Sequence, residues 1–116
     1  MAEVTIRRLS KIADGSGIDV VVMDTLPYKE TIRWTVICAR DLNKAEMRIE
    51  LLFYEGRTVY IIRSLQVTTN PDTLNMLGEI YAPGDFRVAA RFLGATAGDT
   101  LELYAYGVVQ REFPIE

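Results

Sequence analysis

Apolar and polar residues alternate with period two along most of the chain, and no stretch repeats apolar positions at spacings of three and four over three turns. Strict alternation marks strands with one buried face, so the pattern predicts seven or eight β-strands and no long helix. The first runs from about Val4 to Leu9, with Val4 and Ile6 on one face and Thr5 and Arg7 on the other. "ADGSG" (13–17) then interrupts the alternation with two glycines, Asp14 and Ser16, a turn composition. Residues 18–24 form the second strand, and a loop fixed by Pro27 leads to the third at 31–40. Period two places Ile32, Trp34, Val36 and Cys38 on one face of that strand, and Trp34, the largest, is expected at the centre of the core.

After a polar loop at 41–45, residues 46–54 and 57–67 flank Glu55-Gly56, a two-residue hairpin link with Gly56 supplying positive φ. Such a turn pairs Phe53 with Thr58, Leu51 with Tyr60 and Ile49 with Ile62. A turn-rich crossing (68–75) and a short strand (76–82) follow. Pro83-Gly84 predicts a type II turn, Pro83 setting φ and Gly84 taking positive φ. It opens a strand that inserts Phe86, Val88, Ala90 and Phe92 into the core. The last strand or pair of strands is at 100–113, with Gly107 marking a bulge. Short strands at this spacing predict an all-β fold, a two-layer antiparallel β-sandwich of 7–8 strands, with a small barrel as the alternative. The expected core contains Trp34, Phe53, Phe86, Val88 and Phe92.

Two features carry a resemblance. The run Tyr81-Ala82-Pro83-Gly84-Asp85-Phe86-Arg87-Val88 resembles the Pro-Gly-x-aromatic-x-Val opening of a late strand in immunoglobulin-like and fibronectin-III-like sandwiches, and Trp34 is similar to their buried tryptophan. The resemblance implies a two-layer sandwich of immunoglobulin-like topology, with jelly-roll topology as the alternative.

Length and composition bound the rest. With 116 residues the chain makes one domain, 1–116, with one core and no separate cofactor domain; no cofactor is expected. Glu3, Arg7, Arg8 and Lys11 break up the N-terminal apolar positions, so no signal peptide is expected. Nor does any apolar run approach the length of a membrane span. Cytoplasmic synthesis, with incorporation into a virion or other assembly, is the expectation. The net charge of −3 argues against nucleic acid as a partner. There is no histidine and one cysteine, Cys38, which removes His-dependent catalysis and structural zinc, so no metal centre is expected.

Four constellations remain. Asp19, Asp24, Glu46, Glu50, Glu79 and Glu102 are the carboxylates available for glycoside hydrolysis, although solvated strand charges explain them as well. Asp14, Ser16 and Asp19 offer oxygen donors for calcium, or simply build a turn. Tyr54, Tyr60, Tyr81, Tyr104 and Tyr106 with Arg33, Arg87 and Arg91 suit a sugar-stacking platform if the rings share a face. The 46–67 ribbon is apolar on both faces: with Ile49, Leu51 and Phe53 inward, alternation drives Leu52, Val59 and Ile61 outward. Framed by Arg48, Tyr54, Arg57 and Arg63, those three have the composition of a protein interface, to which Arg87 and Arg91 of the 86–92 strand add a second docking row. The expectation is therefore a non-enzymatic interaction protein, a homo-oligomer or repeated subunit of a larger assembly, similar in size and style to virion accessory or decoration proteins. The alternative is a carbohydrate-binding sandwich module assisted by calcium.

Overall fold

The computed structural model describes residues 3–24, 26, 30–43, 47–68, 74–75 and 78–110. In them the alternating segments become nine antiparallel strands: β1 (Glu3–Ile12), β2 (Ile18–Val22), β3 (Thr31–Asp41), β4 (Met47–Glu55), β5 (Thr58–Val67), β6 (Leu74–Asn75), β7 (Ile80–Pro83), β8 (Arg87–Leu93) and β9 (Thr100–Gln110). One sheet has the order β1-β9-β3, with β6 and β7 successively occupying the free side of β3; the other has the order β2-β8-β4-β5. The two-layer antiparallel sandwich is thus the architecture.

Strand order decides between the two expected topologies. The first strand pairs with the last (β1·β9), the second with the next to last (β2·β8), β3 with β6 and β7, and β4 with β5. This is one long antiparallel ribbon folded at the β4–β5 turn, then rolled so that β9 joins β3 and β8 joins β4. That path is a jelly roll. An immunoglobulin-like sandwich pairs its last strand with the one before it, whereas β9 lies between β1 and β3 in the opposite sheet from β8.

The core forms between the layers. The first sheet contributes Ile32, Trp34, Ile37, Leu101, Leu103 and Val109; the second contributes Met47, Ile49, Leu51, Phe53, Val88 and Phe92. Each fully buried aliphatic or aromatic side chain removed from water contributes about 1.5–3 kcal/mol. Trp34, Phe53, Val88 and Phe92 are buried as expected. Phe86 is only half-buried: it lies just before β8, at the rim, stacked on Tyr60 at 5.6 Å and edge-on to Phe53 at 6.1 Å.

Three departures from simple alternation matter. In β3 the pairing with β9 skips a residue between Trp34 and Val36, so Thr35 is extra and the side-chain parity reverses. Ile37 and Ala39 then continue inward from Trp34, while Val36 and Cys38 turn to the outer face rather than the core. Gly107 faces this bulge from β9: a Cβ there would lie 2.8 Å from Ile32 Cγ2 and from Trp34 Cε3. The bulge is therefore in the partner strand, and Gly107 serves to let Trp34 sit against the β9 backbone.

The hairpin turn is Gly56-Arg57, one residue later than expected, with Gly56 at φ 56°. Phe53 consequently faces Tyr60, and a second register shift, which leaves Ile62 extra, puts Leu51 opposite Arg63 and Ile49 opposite Leu65. At the other turn, Phe86 N–H donates to Pro83 C=O at 3.0 Å, so Gly84 and Asp85 are its central residues. Gly84 is not among the positive-φ glycines, and its N–H instead donates to Glu30 C=O at 3.0 Å, extending the β7–β3 ladder. In the expected 76–82 strand, Met76 and Leu77 lie outside the described residues, and β7 covers Ile80–Pro83.

Candidate interaction face

Alternation gives each sheet an outer face, and the two differ. On β1 the buried side belongs to Thr5, while Val4 and Ile6 are 48% and 51% exposed on the outer side. The apolar face of the first strand therefore points away from the core. Cross-strand register extends it. Ile6 lies beside Tyr106, and Tyr106 beside Val36, which the bulge has placed there at 40% exposure. The next row runs Val4, Val108, Arg33 and Tyr81, the last 58% exposed. An antiparallel sheet with one wet face ordinarily carries polar residues at such positions.

Toward the other end the same face becomes charged. The row Arg8, Tyr104, Cys38 and the row Ser10, Glu102, Arg40 lie side by side. Glu102 sits between two guanidinium groups, Oε1 accepting from Arg40 Nε at 3.0 Å and Oε2 from Arg8 Nη2 at 3.1 Å. The Arg40 hydrogen bond, supported by Arg8, holds its carboxyl below the usual glutamate range. Each arginine keeps donors to spare. Arg8, Arg40, Glu102, Tyr104, Cys38 and Ala39 line a depression of about 280 Å³. Burial pushes the Cys38 thiol above its ordinary value, which opposes the thiolate that a nucleophile needs. Arg33 is paired with Glu79 at 3.3 Å.

The outer face of the second sheet carries most of the residues expected to form an interface and divides them, while Arg57 lies in the hairpin turn and the β5 register shift sets Arg63 opposite the core residue Leu51. Leu52 is fully buried, as is its neighbour Ala89, so Leu52 is not a docking residue. Val59 and Ile61 are 40% and 56% exposed, Tyr54, Arg63 and Arg87 are half-buried, and Arg57 and Arg48 are exposed. Arg91 is paired within its own chain, its Nε donating to Glu50 Oε1 at 2.6 Å. Ser64 Oγ donates to Glu50 at 3.3 Å and accepts from Arg48 at 3.0 Å, completing a polar band beside the aliphatic row. The docking row imagined for Arg91 is thus already occupied by its own glutamate.

The remaining constellations resolve similarly. Asp14 Oδ1 accepts from Ser16 N–H at 2.8 Å, and Ser16 Oγ donates to Ile18 C=O at 2.8 Å, so both residues close their own turn. Asp19 is buried and accepts from Asp14 N–H at 3.1 Å, with Lys11 Nζ at 3.8 Å. No group of three His, Cys, Asp or Glu side chains suited to a metal converges among the described residues. Glu50, Glu79 and Glu102 are each ion-paired to arginine, on two different sheets, while Glu46 lies outside the described residues. Of the tyrosines, Tyr81, Tyr104 and Tyr106 share the outer face of the first sheet with Arg33; Tyr54 and Tyr60 belong to the second. No protein-family model matches the chain, and no curated protein matches it in sequence.

Val4, Ile6, Arg8, Val36 and Arg40 are the face residues that alternation alone does not reveal. The available signal was two-sided apolarity in 31–40: Ile32, Trp34, Val36 and Cys38 on one parity, Ile37 and Ala39 on the other, a pattern that one bulge resolves.

Proposed function

We propose that this chain is a non-enzymatic interaction protein, a small repeated subunit of a larger assembly such as a virion accessory or decoration protein. The observation that carries the reading is the apolar outer face of the first sheet, where Val4, Ile6, Val36 and Tyr81 stand exposed between ion-paired arginines. Exposed aliphatic and tyrosine side chains with arginine around them are the composition of a protein interface. The jelly-roll path is also used by capsid subunits, a fold-level analogy that adds a weaker argument. Native mass spectrometry and small-angle scattering over a range of concentrations test it: the reading expects discrete oligomers, and a monomer that neither self-associates nor binds other chains contradicts it.

A second reading has its own observation. Lectin domains use the same path, and the depression beside Tyr104 combines a ring with Arg8, Arg40 and Glu102, the polar and aromatic chemistry that holds a sugar. A ligand-binding module gains stability by linkage, about 2.7 kcal/mol at a ligand concentration one hundred times Kd. Thermal unfolding with a panel of neutral and acidic sugars, with and without calcium, tests this; no shift across the panel removes it.

A further inference from the structure

Resting on the assembly reading, we infer that the partner on the outer face of the β1–β9–β3–β7 sheet is a second copy of this chain, bound face to face through the same surface. Four features of that face point to a like partner.

The first is size. β1, β9 and β3 are 10, 11 and 11 residues long and β7 is four; at about 3.3 Å per residue and about 4.8 Å between strands they offer about 570 Å² in projection. A standard interface buries about 800 Å² of accessible surface per partner, and the accessible area of a face with standing side chains exceeds its projection. One such face is therefore of the size that a standard dimer contact uses.

The second is composition. The Ile6–Tyr106–Val36 row crosses three adjacent strands, and a two-fold axis lying along that row stacks it on itself. Two such sheets packed face to face repeat the geometry of the sandwich's own core, about 10 Å apart. Identical apolar rows are self-complementary, which is what an isologous interface requires.

The third is charge. Among the described residues the face carries Arg8, Arg33 and Arg40 against Glu79 and Glu102, and all five are ion-paired within the chain. Arg8 and Arg40 share Glu102, so each face carries one net positive charge; like faces meet with only modest repulsion, and every charged side chain there already has an ion-pair partner.

The fourth is the contrast with the second sheet, where the exposed aliphatics Ile18, Val59 and Ile61 stand only on the two edge strands, β2 and β5. On the second sheet the corresponding apolar row is already buried at Leu52 and Ala89, and the Arg48–Ser64–Glu50–Arg91 band occupies the row beside it.

Sedimentation velocity of the full chain over a wide concentration range, with Ile6→Asp, Tyr81→Asp and Ile61→Asp, tests the inference. Both Ile6 and Tyr81 are more than half exposed, so the variants keep the folded emission of Trp34, the sole tryptophan, which serves as the check on folding. The expected result is a wild-type dimer that is lost in Ile6→Asp and in Tyr81→Asp and kept in Ile61→Asp. An oligomer that survives both face variants and is lost in Ile61→Asp overturns the inference and leaves the assembly reading standing. A wild type that stays monomeric throughout overturns the inference, and with it the self-association part of that reading.

Discussion

Gly107→Ala isolates the most constrained point of the fold. Gly107 has no positive φ to excuse it, so alanine is conformationally welcome there and by itself would favour the strand by about 0.5–1 kcal/mol. Its Cβ, however, meets Ile32 Cγ2 and Trp34 Cε3 at 2.8 Å and Trp34 Cδ2 at 3.2 Å. Ile32 and Trp34 are 0% and 1% exposed, held by the core on one side and the β9 backbone on the other, so neither can swing away. Overpacking a filled core costs about 1–3 kcal/mol, and a contact this short on a rigid ring belongs in the upper half of that range. Subtracting the propensity gain leaves a net loss of about 1–2.5 kcal/mol. Equilibrium urea unfolding followed by Trp34 emission measures this directly, because the reporter is the residue that is struck. The midpoint should fall with the slope unchanged, since both states expose the same surface. A stabilised Gly107→Ala, by the propensity term alone, refutes the idea that Trp34 packs on the β9 backbone.

Other perturbations separate the two outer faces and the charged cluster. Leu52→Ala should cost about 2–5 kcal/mol because the side chain is fully buried, whereas Ile61→Ala, a neighbour across the ladder, should stay within about 0.5 kcal/mol; equal costs in urea would contradict the burial assigned to Leu52. Glu102 has a depressed carboxyl, so its ion pairs stabilise the fold above the ordinary unfolded value of about 4.3 and the contribution is lost as pH falls through the lower folded value. Glu102→Gln should therefore flatten the acid side of the stability–pH curve; a curve parallel to wild type counts against the Arg8–Glu102–Arg40 cluster. Cys38, its thiol raised by burial, should react with a disulfide reagent at neutral pH more slowly in the folded than in the urea-unfolded chain. Equal rates would place Cys38 in open solvent.

Much of the fold was legible because period-two alternation is the direct imprint of a sheet with one dry face. Val88, Ala90 and Phe92 are buried in the order that alternation predicts, and Trp34 lies at the centre of the core. What alternation does not encode is an inserted residue. Thr35 looks like any other strand residue, yet as the extra residue of a bulge it moves Val36 and Cys38 from the core to the outer face. Ile62 shifts the β4–β5 register in the same way. Nor does alternation say which of its two faces is the dry one. In β1 the apolar parity belongs to Val4 and Ile6, but the ladder with β9 turns Thr5 inward, because Leu103, Ala105 and Val109 already fix which side of β9 is buried. Strand order was open for a different reason: pairing the first strand with the last is a long-range choice that no local residue signals. The candidate interface moved to the other sheet as a consequence of these same two effects, a bulge in β3 and an inverted β1.

Hydroxyl-radical footprinting of the wild-type chain, dilute against concentrated, tests the central claim at residue level. The account predicts that oxidation of Ile6, Val36, Tyr81 and Tyr106 falls with concentration while Ile18, Val59 and Ile61 stay unchanged. Protection of Val59 and Ile61 with Ile6 and Tyr81 unaltered, or no concentration dependence at any of these positions, contradicts it.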